Sequence, residues 1–284
     1  MAVGTLGSPD ERNSVIELSP DGQRVAVSRT SQGNQDIWLI DVARDGQTRF
    51  TDNPSWDSLP LWSPDGSQLM FSSGRSGFGL FQKPANGARD EQLMLASPHV
   101  IWPADWSPDG RVILYMDLDP KTGADLWALP LGEGEKKPFV VLRTRFTEAQ
   151  AQFSPDGQRI AYTSDYSGRA EVYVRPFPGS GDEHLVSTAG GSQPRWRRDG
   201  RELFYVAADR TLMAVPIGPA GGGRTLNVGT AGKLFPTRLG DDDQPRAKYA
   251  VSADGQRFLM NVVVDEPSAP PITIVQNWTA GLRK

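Results

Sequence analysis

Ser107-Pro108-Asp109-Gly110 recurs without change as Ser19-Pro20-Asp21-Gly22, Ser63-Pro64-Asp65-Gly66 and Ser154-Pro155-Asp156-Gly157. Arg197-Arg198-Asp199-Gly200 and Ser252-Ala253-Asp254-Gly255 keep the Asp-Gly and change what precedes it. An apolar residue stands just before each copy: Leu18, Trp62, Trp106, Phe153, Trp196 and Val251. Pro suits the second position of a type I turn, Asp the third, and Gly the left-handed conformation that follows. Such a turn joins two antiparallel strands. Strand-like runs follow every copy, among them Val112-Ile113-Leu114-Tyr115 and Arg159-Ile160-Ala161-Tyr162.

The glycines of these turns are spaced 44, 44, 47, 43 and 55 residues apart. A period in the forties built of short strands is the signature of propeller blades, each a four-stranded sheet. The reading is all-β: a six-bladed β-propeller of four-stranded antiparallel blades, one domain over residues 1–284. Blades are expected to begin near residues 14, 58, 101, 148, 192 and 247. Third strands recur in register, with Trp38, Phe81, Trp127, Tyr173 and Met213 at equivalent places, read as plugs between neighbouring blades. Residues after Gly255 suffice for two more strands but not three. Ala2-Val3-Gly4-Thr5-Leu6 is therefore expected to complete the last blade as its outer strand, which removes an open edge.

The 284 residues include 30 Gly and 23 Pro, spread along the whole length, so they punctuate many short segments. A net charge of −4 gives no electrostatic reason to expect nucleic acid or an anionic membrane as partner. No apolar run reaches the roughly 18 residues that span a bilayer, so membrane insertion of this domain is not expected. The N-terminal residues lack the basic and apolar regions of a signal peptide. There is no cysteine, which excludes disulfides and thiolate metal sites. A monomer is expected, and a Met placed directly on a strand-like run is read as marking a piece cut from a longer protein.

The Pro-Asp repeat resembles that of the TolB-like propellers. Gln193-Pro194-Arg195-Trp196-Arg197-Arg198-Asp199-Gly200 and the tail Asn277-Trp278-Thr279-Ala280-Gly281-Leu282-Arg283-Lys284 are similar to the C-terminal propeller of bacterial multidomain serine/threonine kinases. The resemblance implies a sensor or binding propeller held beyond a membrane segment, hence extracytoplasmic or periplasmic, as a module of a larger signalling or envelope protein. It carries no kinase activity, since the chain has neither the Gly-rich phosphate loop with its strand Lys nor a His-Arg-Asp catalytic loop. Arg198 and Ala253 depart from the repeat where Pro is usual.

Catalytic chemistry finds little to use. His99 and His184 are the only histidines and fall in different repeats, so a site built on several histidines is excluded. No Gly-x-Ser-x-Gly elbow is present. Gly218-Pro219-Ala220-Gly221-Gly222-Gly223-Arg224 lacks the Gly-Lys-Ser/Thr ending of a phosphate loop and reads as a hairpin insertion. Asp241-Asp242-Asp243 could offer carboxylate oxygens to Ca²⁺, but without EF-hand spacing it reads as solvated loop charge. No catalytic residue, resident metal or other cofactor is expected.

Inner strands border the channel and carry the binding candidates. Strand alternation sets Glu17, Asp105, Gln152 and Arg195 on the side away from the apolar positions, facing a wet channel or satisfying one another. The loops joining blades add Trp56, Asp57, Trp102, Arg145, Glu148, Gln193 and Arg246 around the mouth away from the Asp-Gly turns. Loops that differ from blade to blade on a rigid frame can encode recognition. The leading reading is a non-catalytic propeller that binds a protein, peptide or small ligand at the channel mouth carrying Trp56, Trp102, Arg145, Gln193 and Arg246, and not on the face of the Asp-Gly turns. The alternatives are a channel-site lyase or hydrolase using carboxylates and Arg, and a structural spacer.

Overall fold

The repeated tetrapeptides close hairpins by one shared hydrogen-bond scheme. Gly110 stands at φ 75°, and its N–H donates to the carbonyl of Ser107 at 2.8 Å. The Ser107 hydroxyl donates to the Asp109 carboxylate at 2.6 Å and accepts the N–H of Val112, two residues beyond the Gly, at 2.9 Å. The same three contacts recur at Ser19, Ser63, Ser154 and Ser252. The serine hydroxyl is the largest cause holding Asp21, Asp65, Asp109 and Asp254 below the usual carboxylate range.

The computed structural model describes residues 2–7, 12–75, 77–132, 137–179, 181–219, 226–240, 246–262 and 272–276. The chain opens with β1 (Ala2–Leu6), and five blades follow in sequence. The first blade is β2 (Arg12–Leu18), β3 (Arg24–Ser31), β4 (Asn34–Asp41) and β5 (Gln47–Arg49). The second is β6 (Asp57–Trp62), β7 (Gln68–Ser73), β8 (Phe78–Pro84) and β9 (Gln92–Ser97). The third is β10 (Ile101–Trp106), β11 (Val112–Asp119), β12 (Gly123–Pro130) and β13 (Phe139–Leu142). The fourth is β14 (Glu148–Phe153), β15 (Arg159–Ser164), β16 (Glu171–Pro176) and β17 (His184–Leu185). The fifth is β18 (Gly191–Trp196), β19 (Glu202–Ala207), β20 (Thr211–Pro219), β21 (Leu226–Val228) and β22 (Gly232–Pro236). One further sheet holds β23 (Tyr249–Val251), β24 (Arg257–Asn261) and β25 (Ile272–Gln276), with β1 antiparallel to β25 at its outer edge. Among the described residues there is no helix.

The expectation of six like four-stranded blades is corrected here. Five blades form from continuous runs of strands, and the remaining sheet is a seam assembled from both ends of the chain rather than a copy of them. The fifth blade also departs from four strands. Its long β20 pairs with β22 through Thr211–Ala214 and with β21 through Ile217–Pro219, so two short strands share its outer edge. The hairpin expected at 218–224 is this β20–β21 pair, whose residues 220–225 lie outside the described residues, as do Asp241-Asp242-Asp243 and the tail 277–284.

Apolar clusters fill each gap between neighbouring sheets. Leu61, Met70 and Leu80 of the second blade meet Trp106, Ile113 and Tyr115 of the third. Leu6 and Leu259 of the seam meet Ile16, Val25 and Ile40 of the first blade. Three of the plug residues lie opposite aromatics on the second strand of their own blade: Phe81 with Phe71, Trp127 with Tyr115 and Tyr173 with Tyr162, ring centres 5.8 to 6.5 Å apart. Cross-strand pairs of this kind each contribute a few tenths to about 1 kcal/mol.

The Gly110 conformation gives a direct test. Gly110→Val should destabilise the protein by about 1–2 kcal/mol, because a β-branched residue is forced to positive φ although nothing crowds the new Cβ. Gly46→Val, at a glycine without positive φ and equally open, should cost much less. Equal losses of the two variants in urea melts would contradict the turn scheme.

Candidate functional site

The first strands of the blades, with β23 of the seam, pack side by side around the axis. In five of them the pairing with the second strand slips by a residue or more, which breaks strict alternation. At three of these bulges Leu59, Gln150 and Gln193 take φ of 56–59°, a costly conformation for residues with a Cβ.

Around the axis, side chains of one blade hold the backbone of the next. Asp105 accepts the N–H of Phe153 at 2.7 Å, and Gln152, at the equivalent place one blade on, accepts the N–H of Trp196 at 2.7 Å. A second tier runs from Gln150 to the N–H of Gln193 and from Gln193 to the N–H of Lys248, both at 2.8 Å. Tyr249 closes this tier by donating its hydroxyl to the Gln193 carbonyl at 2.9 Å. Inner strands too far apart to pair as a sheet are thus stitched through side chains.

Charge gathers where the stitches end. Arg246 is 3% exposed and donates to Glu17 at 2.5 Å and to the Pro60 carbonyl. Burial pushes its guanidinium below the ordinary arginine value, opposed by the Glu17 charge. Burial pushes Asp105 up to about 7, against the Phe153 N–H and the Arg195 charge, which favour the carboxylate. Asp105 is only half-buried at its surface, yet protein surrounds it in depth, so burial dominates. Arg195 is 7% exposed, and among the described residues its guanidinium makes no hydrogen bond or ion pair.

A cavity of about 690 Å³ opens over this cluster. The second residue of every turn lines it: Pro20, Pro64, Pro108, Pro155, Arg198 and Ala253. It is therefore an axial funnel on the face that carries the Asp-Gly turns. Glu17, Gln152 and Arg195 line it lower down, and Leu18, Phe153, Trp196 and Val251 supply apolar wall.

The structure divides the expected site residues into three groups. Glu17, Asp105, Gln152, Arg195, Gln193 and Arg246 come together around the axis, the last two inside the wall rather than at the far mouth. Trp56, Trp102 and Arg145 stay with the loops and strand starts away from the turns. Trp56 is half-buried against Gly74 with its ring 6.4 Å from Phe78, Trp102 is half-buried on β10, and Arg145 is exposed beside Phe146. Asp57 and Glu148, at the starts of β6 and β14, are buried in structural contacts. Asp57 pairs with Arg75 at 2.7 Å, and Glu148 accepts from the Thr144 hydroxyl at 2.5 Å. Burial raises Asp57 and pushes Glu148 up to about 7.

Sequence reasoning passed over the buried carboxylates Asp36, Asp125 and Glu171 near the heads of β4, β12 and β16. Each meets a hydroxyl or an arginine: Arg49 at Asp36, Thr122 at Asp125, Ser187 and Arg169 at Glu171. Their shared place before an aromatic plug was the available signal. His99 pairs with Asp117 at 2.9 Å, and among the described residues no group of three His, Asp or Glu is arranged to hold a metal ion.

Comparison with known proteins supplies the context for this arrangement. Residues 5–126 match the family model described as TolB beta propeller domain. The uncharacterized peptidase YuxL of Bacillus subtilis is 28% identical over 207 residues, 67% of this chain and 29% of that protein. The Tol-Pal system protein TolB of Anaeromyxobacter dehalogenans is 30% identical over 125 residues, 43% of this chain and 27% of that protein. The chain thus spans less than a third of the length of these relatives. The crystal structure of TolB from Acinetobacter baumannii superposes with a TM-score of 0.68 at 16% identity, covering 97% of this chain and 63% of that one. An oligogalacturonate lyase in complex with manganese superposes with a TM-score of 0.63 at 14% identity, covering 98% and 94%. At these identities the superpositions show the fold alone.

The stitch at Asp105 carries a pH signature. A carboxyl raised in the folded state stabilises the fold fully below its unfolded value near 3.8, and that contribution is lost as pH rises towards about 7. Asp105→Asn stays neutral and keeps an oxygen for the Phe153 N–H. Between pH 5 and pH 8 the wild type should lose about 2 kcal/mol more than the variant. Parallel pH profiles in urea titrations would remove this reading of Asp105.

Proposed function

We propose that this TolB-like β-propeller is a non-catalytic binding module that receives a segment of a partner protein in the funnel on its turn face. The observation that carries the reading is the cavity of about 690 Å³ on the axis, with all six turns at its rim and a buried guanidinium within it. Its size and its mix of apolar wall with a few placed polar groups suit a ligand site. The frame around it is rigid, so little ordering is needed at the moment of contact. Relatives named as Tol-Pal system proteins support work within an assembly, and an extracytoplasmic setting goes with that reading. The share of those relatives that the chain covers supports a module of a larger protein, as the tail motif also suggests.

The groups at the axis favour binding over turnover. Asp105, at about 7, has the acidity of a general acid or base, but one of its oxygens is committed to the Phe153 N–H. Glu17 is held by Arg246. Among the described residues no histidine lines the funnel, and its serines Ser19 and Ser252 are bound to Asp21 and Asp254. The face with Trp56, Trp102 and Arg145 is the competing docking site.

Two variants separate the faces. Ala253→Trp places a bulky ring at the exposed rim of the funnel, and Trp56→Ala with Arg145→Ala strips the opposite face. Ala253→Trp should lose at least tenfold in retention of the cross-linked partner from extracts of the source cells, with its melting curve unchanged, and the double variant should retain it. The reverse result would move the binding site to the other face. Unsaturated products released from oligogalacturonate by the wild type, and not by Asp105→Asn, would instead establish a lyase.

A further inference from the structure

We propose that the funnel selects an acidic peptide segment, with a carboxylate of the ligand seated on Arg195 and a second steered by Arg198. This rests on the funnel being the binding site and adds the chemistry of what enters it. A guanidinium needs acceptors for its donors, either from the protein or from what fills the space beside it. Arg246 meets that requirement inside the protein through Glu17 and Pro60. Arg195 does not. It lies near enough to Asp105 and Arg246 to act on both electrostatically, yet among the described residues no acceptor faces its N–H groups, and it lines the cavity.

The acids that share the lining are already engaged. Glu17 is paired with Arg246, Asp21 is bound by Ser19 and the N–H of Gln23, and Asp254 is bound by Ser252 and the N–H of Gln256. Arg198 points the same way. It stands where four other turns place proline and is exposed at the rim, on the same blade as Arg195 and two residues past Trp196. The one blade that gives up proline for a cation is the blade whose inner strand carries the unmatched cation. A carboxylate fits a guanidinium through two parallel hydrogen bonds. Leu18, Phe153, Trp196 and Val251 offer apolar wall for the side chains between the ligand's acids.

The test uses the whole chain and a displayed random dodecapeptide library. Clones eluted from the immobilised protein should be enriched in Asp and Glu, and a fluorescent synthetic copy of the best clone should bind in anisotropy titrations. Arg195→Gln should weaken it at least tenfold, Arg195→Lys should restore part of the loss, and Arg198→Gln should weaken it severalfold with a shallower salt dependence. Because Arg195 is buried, melting curves accompany each variant, and Arg198→Gln at the exposed rim keeps the test independent of folding. Replacing Glu and Asp in the peptide by Gln and Asn should cost as much as Arg195→Gln. Peptides without acidic enrichment that Ala253→Trp still blocks would overturn the acidic preference and leave the funnel as the site. Peptides blocked only by Trp56→Ala with Arg145→Ala, or a library that yields no binder, would overturn both. Displacement of the peptide by oligogalacturonate at lower concentration than by free acidic peptide would assign the arginines to an acidic sugar instead.

Discussion

The ring depends on a backbone problem at its axis. First strands of neighbouring blades diverge, so they cannot satisfy each other's N–H groups as paired strands do, and unsatisfied groups near the core are expensive. Asp105, Gln152, Gln150 and Gln193 answer this by reaching across to the next blade's N–H. Bulges at Leu59, Gln150 and Gln193 re-aim the inner strands at the cost of strained φ. The hydrophobic plugs then fix the distance between blades, and the turns only cap what this ring arranges.

Much of the fold was legible because one chemical solution is written out repeatedly. Pro, Asp and Gly each have a defined place in a turn, and their spacing revealed the blades. The serine's part was less visible: one hydroxyl donates to the Asp and accepts a later N–H, a link between positions that no periodicity displays. Less visible still was the division of β20 between β21 and β22, because a nine-residue strand with two partners reads in sequence as one strand and a loop.

The candidate site was legible by residue and not by role. Period-two alternation brought out Glu17, Asp105, Gln152 and Arg195, all of which border the axis. The bulge at Gln193, which sets the register of the second tier, leaves no mark in that alternation. Nor does a sequence distinguish an acid that faces water from one that holds a neighbour's backbone: Asp105 and Gln152 do the same job although only one can be charged. Trp56 illustrates the limit from the other side. An aromatic in an interblade loop looks like an anchor, and here its ring fills the space a side chain at Gly74 would need.

The seam between β1 and β25 also bears on how the molecule comes to be. Bringing together strands about 270 residues apart costs about 5 kcal/mol in chain entropy by the logarithmic loop law, whereas a turn-closed hairpin costs about 1. Hairpins and whole blades can therefore form as their residues emerge from the ribosome, and β1 must wait for the last strand. Until then the growing chain carries an unpaired β1 and a disc open on one side. Chaperones or neighbouring copies would find it most accessible in that interval.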